Sequence, residues 1–201
     1  MMKTIAIIIV ICWTILAVIM FVAGIFTKRT TEHQDITGRL WYGVFLLFAF
    51  WLLVKGISNL PAPGVGLKQP IYPLFVSLLP HSSIVMILGL IILIMGLSFV
   101  LWARANLGTN WSGSVTYKEN HELIKRGPYA LVRHPIYTGL LLMFLGTAIT
   151  IGNVGGFLGF PVLFISCWIK LKQEEALMIK HFKEGYMDYK KRVKALIPFV
   201  L

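Results

Sequence analysis

Tyrosine, arginine and histidine side chains are concentrated in one short stretch between two long apolar segments. Residues 127–139 read GPYALVRHPIYTG and contain Tyr129, Arg133, His134 and Tyr137. Polar and ionisable groups at the edge of a membrane usually serve a function, because burying them there is costly. Histidine can bind or release a proton near neutral pH, and the ring faces of tyrosine attract cations. The stretch is therefore the first candidate for a binding or catalytic site.

A second polar block follows the next apolar segment, within residues 170–192. It contains Lys170, Glu174 and Glu175. By residue type alone, both glutamates are charges on a solvated helix face, and for Glu175 we keep this interpretation. Three aromatic residues further along recur at helical spacing, which predicts the packed face of a carboxyl-terminal amphipathic helix. They are Phe182, Tyr186 and Tyr189.

Composition places both blocks in an integral membrane protein. Hydrophobic residues make up 57% of the 201 residues and charged residues 13%, roughly half the ~25% usual for soluble domains. Apolar runs of about 18 residues predict spanning helices, and such runs occupy residues 4–26, 40–54 with their flanks, and 83–103. A fourth apolar block, residues 136–169, is interrupted by Gly152 and its neighbours, which predicts two short helices joined by a tight external turn. We expect an all-α membrane bundle of about five transmembrane helices.

The distribution of basic residues predicts the orientation of this bundle. Cytoplasmic loops of membrane proteins collect lysine and arginine. With the amino terminus outside, all of the 19 Lys and Arg residues except Lys3, Lys55 and Lys68 fall in cytoplasmic segments. Both polar blocks are then expected to meet at the cytoplasmic face. The net charge of +11 fits anionic lipid headgroups rather than nucleic acid, because the basic residues flank apolar spans.

Several other kinds of site are not expected. Cys12 and Cys167 lie within predicted spans, so we interpret both as packing residues and not as a disulfide or thiolate site. His121 and His134 are far apart in sequence, and no His/Glu pair has the i, i+4 spacing of a helical metal site. The glycine-rich residues 152–159 lack the preceding strand of a Rossmann or P-loop phosphate site. We expect no metal centre, and any cofactor must bind among helices.

The two polar blocks share their spacing pattern with a known family. The pattern is H-x-L-hydrophobic, then G-x-Y and R-H-P-x-Y-x-G, followed by E-E-x-x-hydrophobic and F-x-x-x-Y-x-x-Y. It resembles the isoprenylcysteine carboxyl methyltransferases and the related phospholipid methyltransferases, with Met178 where leucine is frequent. The resemblance covers about residues 102–201, whereas the first hundred residues match only in being helical. It implies amino-terminal transmembrane helices and an external linker over residues 1–100, and a methyltransferase core over residues 101–201.

By this resemblance, the two blocks enclose S-adenosylmethionine at the cytoplasmic side of the membrane. Glu174 aligns with the family's cofactor-binding glutamate. A carboxylate can pair with the amino group of the methionine moiety, while ring faces favour the adjacent sulfonium cation. The implied cofactor-binding residues are His121, Leu123, Ile124, Tyr129, His134, Pro135, Ile136, Tyr137 and Glu174.

One departure from the family pattern concerns the acceptor. The family's substrate-side arginine lies four residues before the glutamate, where this chain has Lys170. Arginine binds a carboxylate through a planar fork, whereas lysine offers a compact point charge, so we expect weaker carboxylate recognition. Lys172 or Arg133 is a candidate to compensate. The residues expected to contact the reacting acceptor are Arg133 and Lys170.

The resemblance implies an S-adenosylmethionine-dependent methyltransferase whose lipophilic or prenylated acceptor arrives from the lipid. Carboxyl O-methylation of the isoprenylcysteine type is the first hypothesis, and it needs no general base because a carboxylate is already ionised. N-methylation of a phospholipid amine is the alternative, and it would require a base such as His134 or a glutamate. A noncatalytic transporter or scaffold with aromatic anchors is the hypothesis from another class. Against a transporter, only the second half of the chain contains a glycine-interrupted span.

Overall fold

The structure, a computed structural model, describes residues 2–27, 30–33, 36–58, 76–80, 82–111, 116–118 and 122–201. The external linker is predicted over residues 59–80, and residues 59–75 of it lie outside the described residues. In the described part of the chain, six α-helices and two short strands follow one another. They are α1 (Met2–Ile25), β1 (Thr30–His33), α2 (Ile36–Ser58), α3 (Ser83–Leu107), β2 (Thr116–Lys118), α4 (Pro135–Ile151), α5 (Val154–Phe182) and α6 (Glu184–Arg192).

Three of the described helical segments are long and apolar enough to cross a membrane. They are Lys3–Ile25, Ser83–Asn110 and Val154–Phe182. Two further apolar helical segments, Leu40–Leu53 and Pro135–Ile151, are shorter. Large apolar side chains such as Phe21, Leu47 and Ile84 remain exposed, as expected for surfaces that face lipid. The prediction of an all-α membrane bundle is confirmed, whereas the count of five transmembrane helices stays a prediction.

The predicted turn between α4 and α5 is present and has a clear local cause. Gly152 adopts a left-handed conformation at φ 71°, and its N–H donates to the carbonyl of Ala148 at 2.8 Å. Asn153 then caps α5, since its side-chain oxygen accepts from the N–H of Gly156 at 2.8 Å. The expectation of two short helices is wrong for the second one, because α5 contains 29 residues. No glycine or proline follows Pro161 within α5, so the helix carries Lys170 and Glu174 on its last turns.

Helices α3 and α4 pack closely because glycines face each other across their interface. A Cβ atom added to Gly96 would lie 2.7 Å from the carbonyl oxygen of Gly139, and one added to Gly89 would lie 2.7 Å from that of Gly146. Such close contact leaves no room for a side chain. Small residues are a common means of bringing membrane helices together. The α3–α4 pair therefore forms the rigid support on which the first polar block begins.

The amino-terminal helices pack on this support and on α5. Helix α1 places Ile9 in a buried cluster with Leu93 of α3, while α2 places Leu53 in a cluster with Leu163 of α5. The indole N–H of Trp13 donates to the hydroxyl of Thr147 at 3.2 Å, linking α1 to α4. Cys12 and Cys167 are buried free cysteines within these clusters. The predicted domain division near residue 100 falls inside α3 and stays a prediction.

Two backbone pairings were not predicted from the sequence. Strand β1 pairs with β2 in an antiparallel ladder in which Thr30 lies opposite Lys118, joining the α1–α2 connection to the region after α3. Residues 76–80 pack against the α4–α5 turn, where the N–H groups of Leu78 and Leu79 donate to the carbonyl of Gly152 at 2.7 and 3.0 Å. Strands of three and four residues are too short to leave a periodic pattern in the sequence.

Candidate active site

A cavity of about 300 Å³ lies between the two polar blocks. Most of the residues predicted for the site line this cavity: Leu123, Ile124, Tyr129, Arg133, His134, Pro135, Ile136, Tyr137, Lys170 and Glu174. The structure therefore brings together the two blocks, which are separated in sequence by α4 and most of α5. His121, which was also predicted to bind the cofactor, lies outside the described residues.

The first block reaches the cavity through two tight turns. Gly127 adopts φ 60°, and the Asn106 side chain occupies the space where a Cβ atom would lie. A single helical turn, Gly127–Ala130, then buries Tyr129. Pro135 is the first residue of α4, where its fixed φ suits the helix and its missing N–H costs no hydrogen bond. His134 is consequently held immediately before the first residue of α4, in the cavity lining.

The second block is fastened to the first by a C-terminal strap, which we define as residues 193–196. The backbone N–H of Arg133 donates to the carbonyl of Lys194 at 2.8 Å, and that of His134 donates to the carbonyl of Ala195 at 3.0 Å. The hydroxyl of Thr138 also donates to the strap, at the carbonyl of Leu196, at 2.8 Å. The strap thus fixes the backbone that carries Arg133 and His134.

Glu174 presents its carboxylate at the cavity wall. Its side chain is 26% exposed, and Oε1 accepts a hydrogen bond from the hydroxyl of Tyr137 at 2.6 Å. Oε2 lies 3.5 Å from Nδ1 of His134. The rings of His134 and Tyr137 are stacked, with centroids 5.6 Å apart. One carboxylate and two aromatic rings therefore form a continuous wall.

Glu175, in contrast, points away from solvent and is only 2% exposed. Oε1 accepts from Nε of Arg133 at 2.9 Å, and Oε2 accepts from Nζ of Lys190 at 2.8 Å. Oε1 also lies 3.5 Å from Nε2 of His134. The expectation that Glu175 is a solvated surface charge is wrong. A carboxylate this deeply buried requires charged partners, and the fold supplies them from the first block and from α6.

The imidazole of His134 lies between the two glutamates, and this position determines its charge. Burial by itself lowers the pKa of His134, but the nearby carboxylates of Glu174 and then Glu175 outweigh burial. The net pKa lies above the ordinary value of 6.5, so the imidazole holds its proton to a higher pH than a free histidine does. Burial, reinforced by the charge of Glu174, raises the pKa of Tyr129, so this phenol stays neutral.

The two predicted acceptor-contacting cations differ in their surroundings. Arg133 also donates from Nη1 to the backbone carbonyls of Val193 and Lys190, so its guanidinium is engaged by α5, α6 and the strap. Its contact with an acceptor stays a prediction. Lys170 places its ammonium 5.6 Å from the ring centroid of Tyr137. Lys172, suggested as a substitute, lies over the ring of Trp168 at 4.7 Å.

Several cavity residues were missed by sequence reasoning. Asn110 is 8% exposed, and its side-chain oxygen accepts a hydrogen bond from the backbone N–H of Glu122 at 3.5 Å. Trp111 lines the cavity beside Asn110, and the Arg104 guanidinium lies 5.1 Å from its ring centroid. Helix α1 contributes Leu16 and Met20, which nothing in an apolar run distinguishes from lipid-facing neighbours. The remaining cavity-lining residues that were not singled out for the site are Leu107, Glu122, Leu140, Met178, Tyr186 and Tyr189.

The described residues contain no group of three or more His, Cys, Asp or Glu side chains that could hold a metal ion. The site is instead built from the Glu174 carboxylate, aromatic faces, a lysine ammonium and an apolar wall. Such a set of groups can bind an organic cation, and it can hold an anion beside that cation.

Comparisons with known proteins agree with this arrangement. The profile of the phospholipid methyltransferase family matches residues 84–185, half of the chain. The chain belongs to this family. It is 34% identical over 101 residues to the protein-S-isoprenylcysteine O-methyltransferase of Schizosaccharomyces pombe, covering 49% of this chain and 43% of the relative. It is 30% identical over 115 residues to protein-S-isoprenylcysteine O-methyltransferase A of Arabidopsis thaliana, covering 56% and 58%.

The fold is also similar to a solved structure. The eukaryotic intramembrane Ras methyltransferase ICMT (isoprenylcysteine carboxyl methyltransferase) matches 82% of this chain and 52% of its own length, with a TM-score of 0.50 and 22% identity. The chain spans about half the length of the curated relatives it matches. The resemblance drawn from the motifs is thus confirmed at the level of the family and of the membrane fold.

Proposed function

We propose that this chain transfers a methyl group from S-adenosylmethionine to a lipophilic acceptor within the membrane. The observation that carries the proposal is the Glu174 carboxylate, which lies accessible at the cavity wall formed by both polar blocks. Family membership supports the same reaction class. A noncatalytic scaffold gives no reason for a carboxylate, two stacked rings and a lysine to meet in one cavity.

The chemistry of the cavity wall suits S-adenosylmethionine. Glu174 would pair with its amino group, and aromatic rings of the cavity lining would lie near its sulfonium. Apolar side chains of Leu123, Ile124 and Ile136 would cover its less polar parts. The cavity volume of about 300 Å³ lies at the lower end of the range for ligand pockets. When bound, this cofactor supplies an electrophilic methyl group on a positively charged sulfur that departs as a neutral thioether.

We infer that the acceptor is a carboxylate of the isoprenylcysteine type. A carboxylate is ionised at neutral pH, so the protein needs only to orient it and exclude water. Lys170 would hold its charge. The relatives named protein-S-isoprenylcysteine O-methyltransferase have the corresponding activity.

N-methylation of a phospholipid amine is the second candidate, and the match to the phospholipid methyltransferase family favours it. The mass of the product distinguishes an ester from a methylamine. Alkaline hydrolysis adds an independent criterion, because it releases the methyl group from an ester but not from an amine.

We also propose that the cavity faces the cytoplasm. Residues 102–139 and 170–201, which include the two polar blocks, contain 13 of the 19 lysines and arginines of the chain, and such residues accumulate on the cytoplasmic side of membrane proteins. A soluble cofactor would then enter from the cytoplasm, while the acceptor would enter from the lipid.

Calorimetric titration of S-adenosylhomocysteine, the demethylated cofactor, into the detergent-purified protein tests the proposal. Wild-type protein should bind it, and Glu174→Gln should weaken binding by about 10- to 150-fold, the loss expected for one charge-assisted hydrogen bond. Asp188→Asn is the matched control, because Asp188 is an exposed acid on α6, with a side chain 62% exposed. Unchanged affinity in Glu174→Gln would remove Glu174 from the site. Absence of binding by folded wild-type protein would refute the cofactor assignment.

A further inference from the structure

A tyrosine of α2 lies beside Lys170, which lines the cavity. Tyr42 lies on α2, outside residues 84–185 that match the family. Helix α2 runs beside α5, and the hydroxyl of Ser166 donates to the backbone carbonyl of Tyr42 at 2.8 Å. This contact places the backbone of Tyr42 beside Ser166 of α5, one helical turn before Lys170.

Lys170 lies between Tyr42 and Tyr137 of the cavity wall. Its ammonium lies 5.3 Å from the ring centroid of Tyr42 and 5.6 Å from that of Tyr137. Both distances fall within the ~6 Å over which an aromatic face attracts a cation. His134 stacks on Tyr137, so His134, Tyr137, Lys170 and Tyr42 form one continuous row from the first motif block to α2.

We propose that Tyr42 is a specificity-determining positioning residue that holds the Lys170 ammonium at the cavity wall as the recognition group for an acceptor carboxylate. The inference rests on the proposed function. Lysine has a flexible four-carbon stem and no planar fork, so an unrestrained ammonium recognises a carboxylate poorly. Two ring faces restrict this ammonium to one place. They thereby compensate in part for the absence of an arginine at position 170.

The same geometry disfavours a positively charged acceptor. An amine substrate that reached the acceptor side of the cavity would meet the Lys170 ammonium, and like charges repel most strongly away from bulk water. The Tyr42–Lys170 pair therefore selects a carboxylate both by attraction and by exclusion of an ammonium. In this way the amino-terminal half of the chain acquires a role in substrate choice.

Steady-state kinetics and binding with a synthetic carboxylate acceptor, N-acetyl-S-farnesylcysteine, test the proposal. Tyr42→Leu should raise KM for this acceptor by about two- to thirtyfold, the loss of one cation–π contact, with little change in kcat. Affinity for S-adenosylhomocysteine should not change. Tyr42→Phe keeps the ring face and should restore KM to near the wild-type value. Trp51→Leu is the control, because Trp51 is an exposed aromatic residue on the same helix.

A neutral analogue separates recognition of charge from general packing. Binding of the corresponding carboxamide should not change in Tyr42→Leu, whereas an equal loss for carboxamide and carboxylate would overturn the proposal. Equal effects of Tyr42→Phe and Tyr42→Leu would also overturn it, since the ring would then not matter. If Tyr42→Leu fails to fold, Lys170→Met provides the test, and it must remove the preference for carboxylate over carboxamide.

Failure of this inference can be distinguished from failure of the proposed function. Wild-type protein that binds S-adenosylhomocysteine but not the carboxylate acceptor would overturn the role of Tyr42 and leave N-methylation standing. Folded wild-type protein that does not bind S-adenosylhomocysteine would refute the proposed function itself, and the Tyr42 proposal with it.

Discussion

Glu175→Gln is expected to destabilise the fold by about 3–5 kcal/mol, because it removes one partner from a buried ion pair. The Glu175 side chain is 2% exposed and that of Arg133 is 7% exposed, so the arginine left behind has little access to water. The lost contact with Lys190 adds less to the penalty, since the Lys190 side chain is 36% exposed and its charge can return to solvent. The penalty thus arises mainly from an uncompensated Arg133.

Thermal unfolding of the detergent-purified variants measures this penalty. For a chain of this length, about 2–4 °C of Tm corresponds to 1 kcal/mol, so we expect Tm to fall by roughly 6–20 °C. Glu174→Gln is the neighbouring control, because the Glu174 carboxylate is partly exposed at the cavity. Its neutral partner Tyr137 can also donate to an amide oxygen, so we expect a loss of about 1 kcal/mol or less.

The two variants should therefore have opposite consequences. Glu175→Gln should lower Tm strongly, whereas Glu174→Gln should lower cofactor affinity strongly and Tm little. A double-mutant cycle with Arg133→Gln isolates the pair, and the double variant should be clearly more stable than the sum of the single losses implies. Equal Tm values for Glu174→Gln and Glu175→Gln, or strict additivity in the cycle, would refute the reasoning.

Two further predictions concern helix packing and pH. Gly146→Ala should destabilise the protein, since a Cβ there would collide with the backbone of α3. Gly43→Ala should instead stabilise α2 by about 0.5–1 kcal/mol, because a Cβ there would have no atom within 4 Å. The two Tm shifts should therefore have opposite signs, and matching signs would contradict the packing argument. The raised pKa of His134 contributes stability that is fully present below about pH 6.5 and is lost as pH rises through the folded-state pKa. The Tm advantage of wild type over His134→Gln should therefore shrink above about pH 6.5, and an advantage constant over that range would exclude this titration as its source.

Much of the fold is predictable because its signals are local. Apolar runs indicate α1, α2 and α3, and the Gly152 and Asn153 pair marks the turn between α4 and α5. The length of α5 was underestimated, because its change from apolar to charged residues near position 170 resembles a membrane boundary. The helix does not end where the composition changes. It continues to Phe182, and the next residue, Lys183, adopts φ 44°.

The site was predictable where residues belong to a motif, and otherwise not. The family resemblance of the two blocks led to Glu174, His134 and Tyr137, which the structure brings together around one cavity. Nothing local distinguishes Glu175 from Glu174, since adjacent residues differ only in the helix face on which they lie. Burial of Glu175 depends on Arg133, 42 residues away in sequence. Such a long-range pairing has no counterpart in a periodic pattern.

The strap explains why the two polar blocks must occur together in one chain. The first N–H groups of a helix have no partner within it, and inside a membrane protein such groups must be satisfied by other protein atoms. Upstream of α4, the N–H groups of Arg133 and His134 donate to strap carbonyls, and Pro135 has no N–H to satisfy. Glu175 binds both Arg133 and Lys190, so its carboxylate connects α6, which precedes the strap, to the segment just before α4. The backbone that orients His134 toward Glu174 is therefore complete only when α6 and the strap are folded onto it.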